Sequence, residues 1–253
     1  DAPQTGGQRW LSTLRALWRA RDLRFLDRQE EAAFQRKVHR DVVRASLCLA
    51  CLTLVYVIVS LVPRYLSEVG MKNNEFRWEP SDPRTVYFAG YVFTLHILVA
   101  DLVGCVAYFR GHLQFVNFEY VTVFMCVHLI FMGYTGTKWH TARLFGQVPE
   151  DVWLEDSGDL AVGEVITVFG QISLVIAACQ VVPIRTHISW VVPFACAVTY
   201  PLIAVALGMA MQSAAPRLSI IVPVLCAFAH LSAFRNESHA RSKWRAVHTA
   251  AER

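Results

Sequence analysis

Residues 41–62 read DVVRASLCLACLTLVYVIVSLV, and their only charges, Asp41 and Arg44, lie in the first four positions. About 20 consecutive apolar residues in a helix cross the hydrocarbon core of a bilayer, so this stretch reads as a transmembrane span. Working outward, five further stretches have the same character: residues 86–109, 113–134, 160–182, 188–211 and 218–234. The fold class this predicts is an all-α polytopic membrane protein with six transmembrane helices. An even number of spans puts both termini on one side.

Composition agrees with this reading. Of the 253 residues, 55% are hydrophobic and 17% charged, and the mean hydropathy is +0.36. Little is left over for a soluble catalytic domain, and nothing calls for a nucleic-acid partner; the partner implied first is the lipid bilayer. The net charge of +4 matters less than its placement. Seventeen of the 24 Lys and Arg lie in the N-terminal arm through Arg44, at Arg110 and Arg185 in short links, and in the C-terminal tail. The other seven (Arg64, Lys72, Arg77, Arg84, Lys138, Arg143 and Arg217) lie in the opposite connections. The positive-inside rule then predicts that both termini are cytoplasmic, with the plasma membrane as the expected location. All seven cysteines fall within spans, where a thiol acts as a small hydrophobe, and the external loops offer no disulfide framework. Cys48 and Cys51 form a C-x-x-C without a second pair, which reads as packing rather than a metal site.

Three regions follow. Residues 1–40 form an arm: Trp10, Leu11, Leu14, Leu17, Trp18 and Phe25 share one helical arc opposite Arg9, Arg15, Arg19 and Arg24, an amphipathic pattern that suits either a membrane interface or a cytosolic helix packing on a partner domain. A charged helical stretch, residues 27–40, is expected to run directly into the first span, because no Pro or Gly interrupts it. Residues 41–234 form the bundle. Residues 63–85 read as a loop, and residues 135–159 as a largely solvated acidic loop around Glu150, Asp151, Glu155, Asp156 and Asp159. Pro183, Pro193, Pro201, Pro216 and Pro223 predict kinks in the last two spans or at their ends. Residues 235–253 continue the sixth span as a charged helix, with Glu237, Ala240, Trp244, Val247 and Ala251 spaced 3, 4, 3, 4 like a coiled-coil seam. The tail is expected to lead to a further domain, within a longer natural polypeptide.

Ionisable groups inside spans are costly, about 2.5–3.5 kcal/mol each at mid-bilayer on insertion scales, so they mark candidate sites. By residue count Asp101 and Glu119 reach similar depth, as do His96 and His128 nearer the middle. A hairpin of the second and third spans would pair the acids and pair the histidines. The chemistry this allows is a proton or cation path; equally, it allows hydrogen bonding that holds helices together. Glu164, Gln171, Gln180 and His230 read as interhelical glue. Haem ligation is not supported, since the histidines His112, His187 and His230 do not complete facing pairs. No phosphate loop, nucleophile triad, metal-protease helix or dinucleotide fingerprint occurs, so no catalytic residue, metal ligand or cofactor is nominated.

One resemblance adds to this. Phe25-Leu26-Asp27, the acidic residues after it and Phe34 lead into six spans, and the last span exits through Asn236-Glu237-Ser238-His239-Ala240-Arg241-Ser242-Lys243-Trp244. This order of parts resembles the six-helix N-terminal membrane region of class III adenylate and guanylate cyclases and related membrane sensor proteins. The resemblance implies a dimeric anchoring and sensing module for signal transduction and cAMP biosynthesis, with Asn236, Glu237, Arg241 and Trp244 on an output helix coupled to a cytoplasmic effector domain. The rival readings are a small proton or cation transporter using Asp101 and Glu119, and a non-catalytic subunit of a membrane complex.

Overall fold

A computed structural model of the chain describes residues 28–70, 79–153, 155 and 157–251. The amphipathic helix expected within residues 10–25 lies outside the described residues. Among those described, the structure is all-helical: α1 (Arg28–Gly70), α2 (Pro83–Phe109), α3 (Phe118–Thr135), α4 (Lys138–Leu144), α5 (Pro149–Trp153), α6 (Ser157–Gln180), α7 (Thr186–Ser189), α8 (Val191–Leu207) and α9 (Ala215–Ala251). Six of these segments are long and apolar enough to cross a membrane, with α7 and α8 together forming one of them.

The helix boundaries follow local chemistry. Asp82 caps α2 by accepting from the Arg84 N–H at 2.8 Å, and Pro83 occupies the first turn, where a missing donor costs nothing. The third span begins at Phe118 instead of residue 113. Gly111, at φ 86°, turns the chain, and the Asn117 side chain caps α3 by accepting from the Glu119 N–H at 3.1 Å. Likewise the fifth span stops at Leu207, short of residue 211, where Gly208 adopts φ 73°. Residues 63–70, read from sequence as loop, continue α1 as helix. One missing backbone donor at a proline bends a helix more readily than it ends one. Pro201 and Pro223 also lie inside helices.

Helix α3 is the hub. Half of its most apolar stretch is buried, against 33% or less for the other five spans. It packs on α1 and α2 on one side and on α6, α7 and α8 on the other, while α9 closes against α8 and α6. Leu98, Cys105, Phe118, Cys126, Ile130 and Val222 are among the core residues. The periphery is apolar too: Phe93, Phe124, Phe169, Phe194, Val205 and Phe228 are each more than half exposed. Such a belt has no place in water and suits acyl chains.

Helix α1, with 43 residues, is about 65 Å long and α9, with 37, about 55 Å, so both outreach a hydrocarbon core of about 30 Å. Their overhanging ends lie on the same face of the bundle, here the termini face. The opposite, distal face differs from the solvated loop read from sequence. Residues 138–153 fold into α4 and α5, and Trp139 and Trp153 are buried with Tyr87, Phe88 and Leu160 in a second apolar cluster. The acidic side chains Asp151 and Asp159 remain exposed, while the buried aromatic residues anchor the segment.

Candidate functional site

The deepest concentration of polar chemistry lies at the termini face and centres on Arg241 of α9. Arg241 is 4% exposed, an uncommon position for a charged residue unless its donors are matched. Arg241 Nη1 donates to Glu31 Oε2 at 2.6 Å and Nη2 donates to Glu31 Oε1 at 3.2 Å, a bidentate fork. Arg241 Nε donates to Glu237 Oε1 at 2.8 Å, one turn back on the same helix. The flat guanidinium also lies over the Phe34 ring, 4.6 Å from its centroid. On α1, Gln35 Nε2 donates to Glu31 Oε1 at 2.8 Å and holds that carboxylate in place.

Glu237 extends the network to a third element. Its Oε2 accepts from the Thr186 N–H at 2.6 Å and from the Thr186 hydroxyl, at the start of α7. The neighbouring residue, Arg185, donates from Nε to Glu119 Oε2 at 2.6 Å, in the first turn of α3, where the helix dipole also favours a carboxylate. A continuous path therefore runs from α1 through Glu31, Arg241, Glu237, Thr186 and Arg185 to Glu119 of α3. One turn along, Glu30 and Arg245 approach at 3.9 Å with Arg245 59% exposed, a pair worth little by itself.

Trp244 completes the clamp. Its ring meets Phe34 edge-on at 5.8 Å, stacks on His248 at 3.9 Å, and has Lys37 Nζ 5.1 Å from its centroid. The seam read from the 3-4 spacing is thus partly used within the chain: Glu237 and Trp244 have partners on α7 and α1. Ala240 and Val247 stay exposed, as does Asn236.

The intramembrane candidates are arranged differently from the sequence expectation. Asp101 and Glu119 do not pair. Asp101 Oδ2 accepts from the Ser46 hydroxyl at 3.4 Å, and Ser46 Oγ is 2.9 Å from Thr122 Oγ1, so the Asp101 set joins α2, α1 and α3. Glu119, one turn from Thr122 towards the termini face, instead takes Arg185, a full cation that a carboxylate prefers to another acid. Asp101 Oδ1 is buried with no hydrogen-bond partner among the described residues. The two histidines do not meet either. His96 falls on the exposed stripe of α2 with Val92, Val99 and Val103, and its Nδ1 bonds the Val92 carbonyl at 2.7 Å. His128 lies edge-on to Phe93 at 5.4 Å, and its Nε2 has no partner among the described residues. Depth counted along a chain gives the level of a residue but not its azimuth; azimuth decides which groups meet.

The distal face carries its own polar pair. His140 of α4 is 1% exposed; its Nδ1 lies 2.6 Å from the Tyr134 carbonyl and its Nε2 3.2 Å from that of Gly208, with Glu164 Oε1 at 3.7 Å. Burial holds His140 below the ordinary histidine range, and the two carbonyls oppose that shift. Lys138 pairs with Glu155, and Trp153 Nε1 donates to the Lys138 carbonyl at 2.8 Å, which pins α5 to α4.

Among the described residues no three His, Cys, Asp or Glu side chains converge as a metal set. No protein-family model, curated protein or solved structure matches this chain.

Proposed function

We propose that this protein is a membrane-embedded anchoring and regulatory module whose output is the orientation of α9, passed to a cytoplasmic effector such as a nucleotidyl cyclase. In this reading both termini face the cytoplasm of a plasma-membrane protein that works as a homodimer. The observation that carries it is the seating of α9: one unbroken helix from Ala215 to Ala251, held at Arg241 and Glu237 by α1 and by the connection entering α7. A desolvated fork of this kind fixes a helix about its axis far more tightly than apolar contact does.

The ladder of charges also supplies a second state. Glu30 and Glu31 face Arg241 and Arg245, whose positions differ by one turn of α9. Sliding or rotating α9 against α1 would exchange Glu31–Arg241 for Glu31–Arg245, a discrete re-pairing of the sort on which switches are built. A ligand that favours one bundle packing over another shifts that equilibrium by its differential affinity and no more.

The test uses spin labels at Arg36→Cys and Lys243→Cys, both exposed, with Cys48 and Cys51 replaced by Ser. A single narrow distance distribution is expected, and two glycines inserted between Arg235 and Asn236 should broaden it, each glycine weakening the helix by about 1 kcal/mol relative to Ala. A distribution unchanged by the insertion would mean that the clamp alone positions the tail, independently of the bundle, and would overturn the output role. Orientation is tested separately: an impermeant thiol reagent applied to sealed cells should label Asp151→Cys and leave Gln8→Cys untouched.

The transport reading rests on Asp101, whose Oδ1 is buried without a partner beside Ser46 and Thr122. Proton or cation flux in liposomes that vanishes with Asp101→Asn would favour it over the regulatory module.

A further inference from the structure

Three carboxylates of the termini face are turned inward. Glu31, Glu119 and Glu237 are held by Arg241, Arg185 and Thr186 at hydrogen-bond distance. The surface beside them is left to cations: Arg36, Lys37, Arg40 and Arg44 of α1 are all exposed.

Three of these cations form a stripe. Residues 36, 40, 44, 48 and 52 follow at four-residue intervals along α1 and are exposed throughout, first as Arg36, Arg40 and Arg44, then as Cys48 and Leu52, the last 71% exposed. The stripe lies away from the packing faces of α1, where Phe34 meets Arg241 and Trp244, and His39 meets Tyr108 and Phe118. The change from arginine to apolar side chain takes one turn, so Arg44 stands at the edge of the acyl belt, with Arg40 about 6 Å and Arg36 about 12 Å further out. The headgroup layer of a bilayer is about 5–8 Å thick, which sets Arg40 and Arg44 at the level of lipid phosphates.

The chain itself competes weakly for these side chains. Arg36 and Arg40 have no ion-pair partner among the described residues, and Asp41 meets Arg44 at 3.6 Å with both side chains more than half exposed, a contact worth little. A guanidinium presents a planar fork that fits two phosphate oxygens. Two forks one turn apart, directly above exposed apolar side chains, match a ligand with phosphate at one end and hydrocarbon at the other.

We propose that the arginine stripe of α1 is a binding site for an anionic phospholipid, its phosphate held between Arg40 and Arg44 and its chains lying along Cys48, Leu52 and Val55. A zwitterionic headgroup brings its own cation and gains less from the arginines, and free phosphate lacks the chains. This site is independent of the output role of α9, because its test reads only which lipid is retained.

The full chain is placed in nanodiscs of equal phosphatidylglycerol and phosphatidylcholine with matched acyl chains, and the lipids it retains are counted by native mass spectrometry. Phosphatidylglycerol should be retained about thirtyfold over phosphatidylcholine, about fivefold for each of two arginines at the membrane surface. Arg40→Gln with Arg44→Gln should bring the ratio to about fivefold or below. Arg217→Gln with Lys243→Gln, which removes the same charge from exposed positions away from the stripe, should leave it unchanged, and thermal unfolding of both double variants should match the parent. A ratio near one in the unsubstituted protein would overturn the site, and that arm needs no variant to fold. Equal falls in the two double variants would overturn the stripe in favour of the charge of the whole protein. Displacement of the lipid by inorganic phosphate in excess would overturn the lipid as occupant.

Discussion

The two halves of the bundle are built on opposite principles. At the termini face the helices are joined by charged groups with fixed partners: Glu31 to Arg241, Glu237 to Thr186, and Arg185 to Glu119. In the distal half α1, α2, α3 and α6 meet through largely apolar side chains around a cavity of about 440 Å³, and the polar pairs there, His140 with the Tyr134 and Gly208 carbonyls and Lys138 with Glu155, lie in the connection that follows α3. A desolvated charge tolerates only the position of its partner, whereas apolar surfaces accept several packings of similar energy. The contrast teaches that charged and apolar joints are segregated along the bundle axis, with the charged half next to the helix that leaves the bundle.

The largest effect should come from breaking the fixed half. Arg241→Ala leaves Glu31 buried without its cation and removes a partner of Glu237; a loss of about 3–5 kcal/mol is expected for such a pair. Thermal unfolding would read the loss, and hydrogen exchange should show faster opening of residues 28–40 than of α3. The exchanged pair Glu31→Arg with Arg241→Glu should restore part of it. If Arg241→Ala is as stable as the parent, the charged path does not hold the two halves differently.

Next in size is an assault on the distal half at its tightest glycine. Gly133→Ala drives a methyl into Gln171, and overpacking of this kind costs about 1–3 kcal/mol. Gly170→Ala, with only ordinary contact at the Tyr56 hydroxyl, should be nearly silent in the same melting experiment. Equal effects at the two glycines would mean that the distal half is packed as tightly as the other.

Asp101 lies between the regimes. Asp101→Asn keeps a group able to accept from Ser46 and should change stability by no more than about 0.6 kcal/mol, the average for hydrogen bonds within membrane bundles. Asp101→Leu strands the Ser46 hydroxyl and should be worse, by about 1–3 kcal/mol. Thermal unfolding in one detergent ranks the two, and the reverse order would refute the hydrogen-bonding role.

The smallest effect is a pH dependence at the distal face. His140 titrates below its usual range in the fold, so the folded state prefers it neutral. Its contribution is present above the unfolded value of about 6.5 and lost as pH falls below it, by at most about 1.4 kcal/mol per pH unit. The melting temperature should fall between pH 6.5 and 5 less steeply in His140→Gln than in the parent; parallel slopes would show that His140 takes no part.

Much of the fold was legible because length and hydropathy are properties of a single segment. The stretch at residues 41–62 and its five companions correspond to the six helices long and apolar enough to span a membrane. Boundaries were less legible where a side chain decides them, as at Asn117, and the distal segment was misread because acidic residues masked the anchoring role of Trp139 and Trp153. At the candidate site, the sequence singled out Glu119, Glu237 and Arg241 but not their partners. Glu31 entered only among the acidic residues ahead of the first span, and Arg185 only as a topological charge. Partnership across helices depends on azimuth, and azimuth depends on how whole helices pack. A clue existed: Glu31, Phe34 and Val38 share one face of α1, and Phe34 is buried.

The fork between Glu31 and Arg241 joins residues 210 positions apart. Ribosomes add about 5–20 residues per second, so Glu31 waits roughly 10–40 s for its cation to be made. Closure of the clamp is therefore a late event in biogenesis, following insertion of the sixth span. Until then, the nascent chain carries Glu31 without Arg241, and a protein stalled before α9 is complete is chemically distinguishable from a finished one at that face.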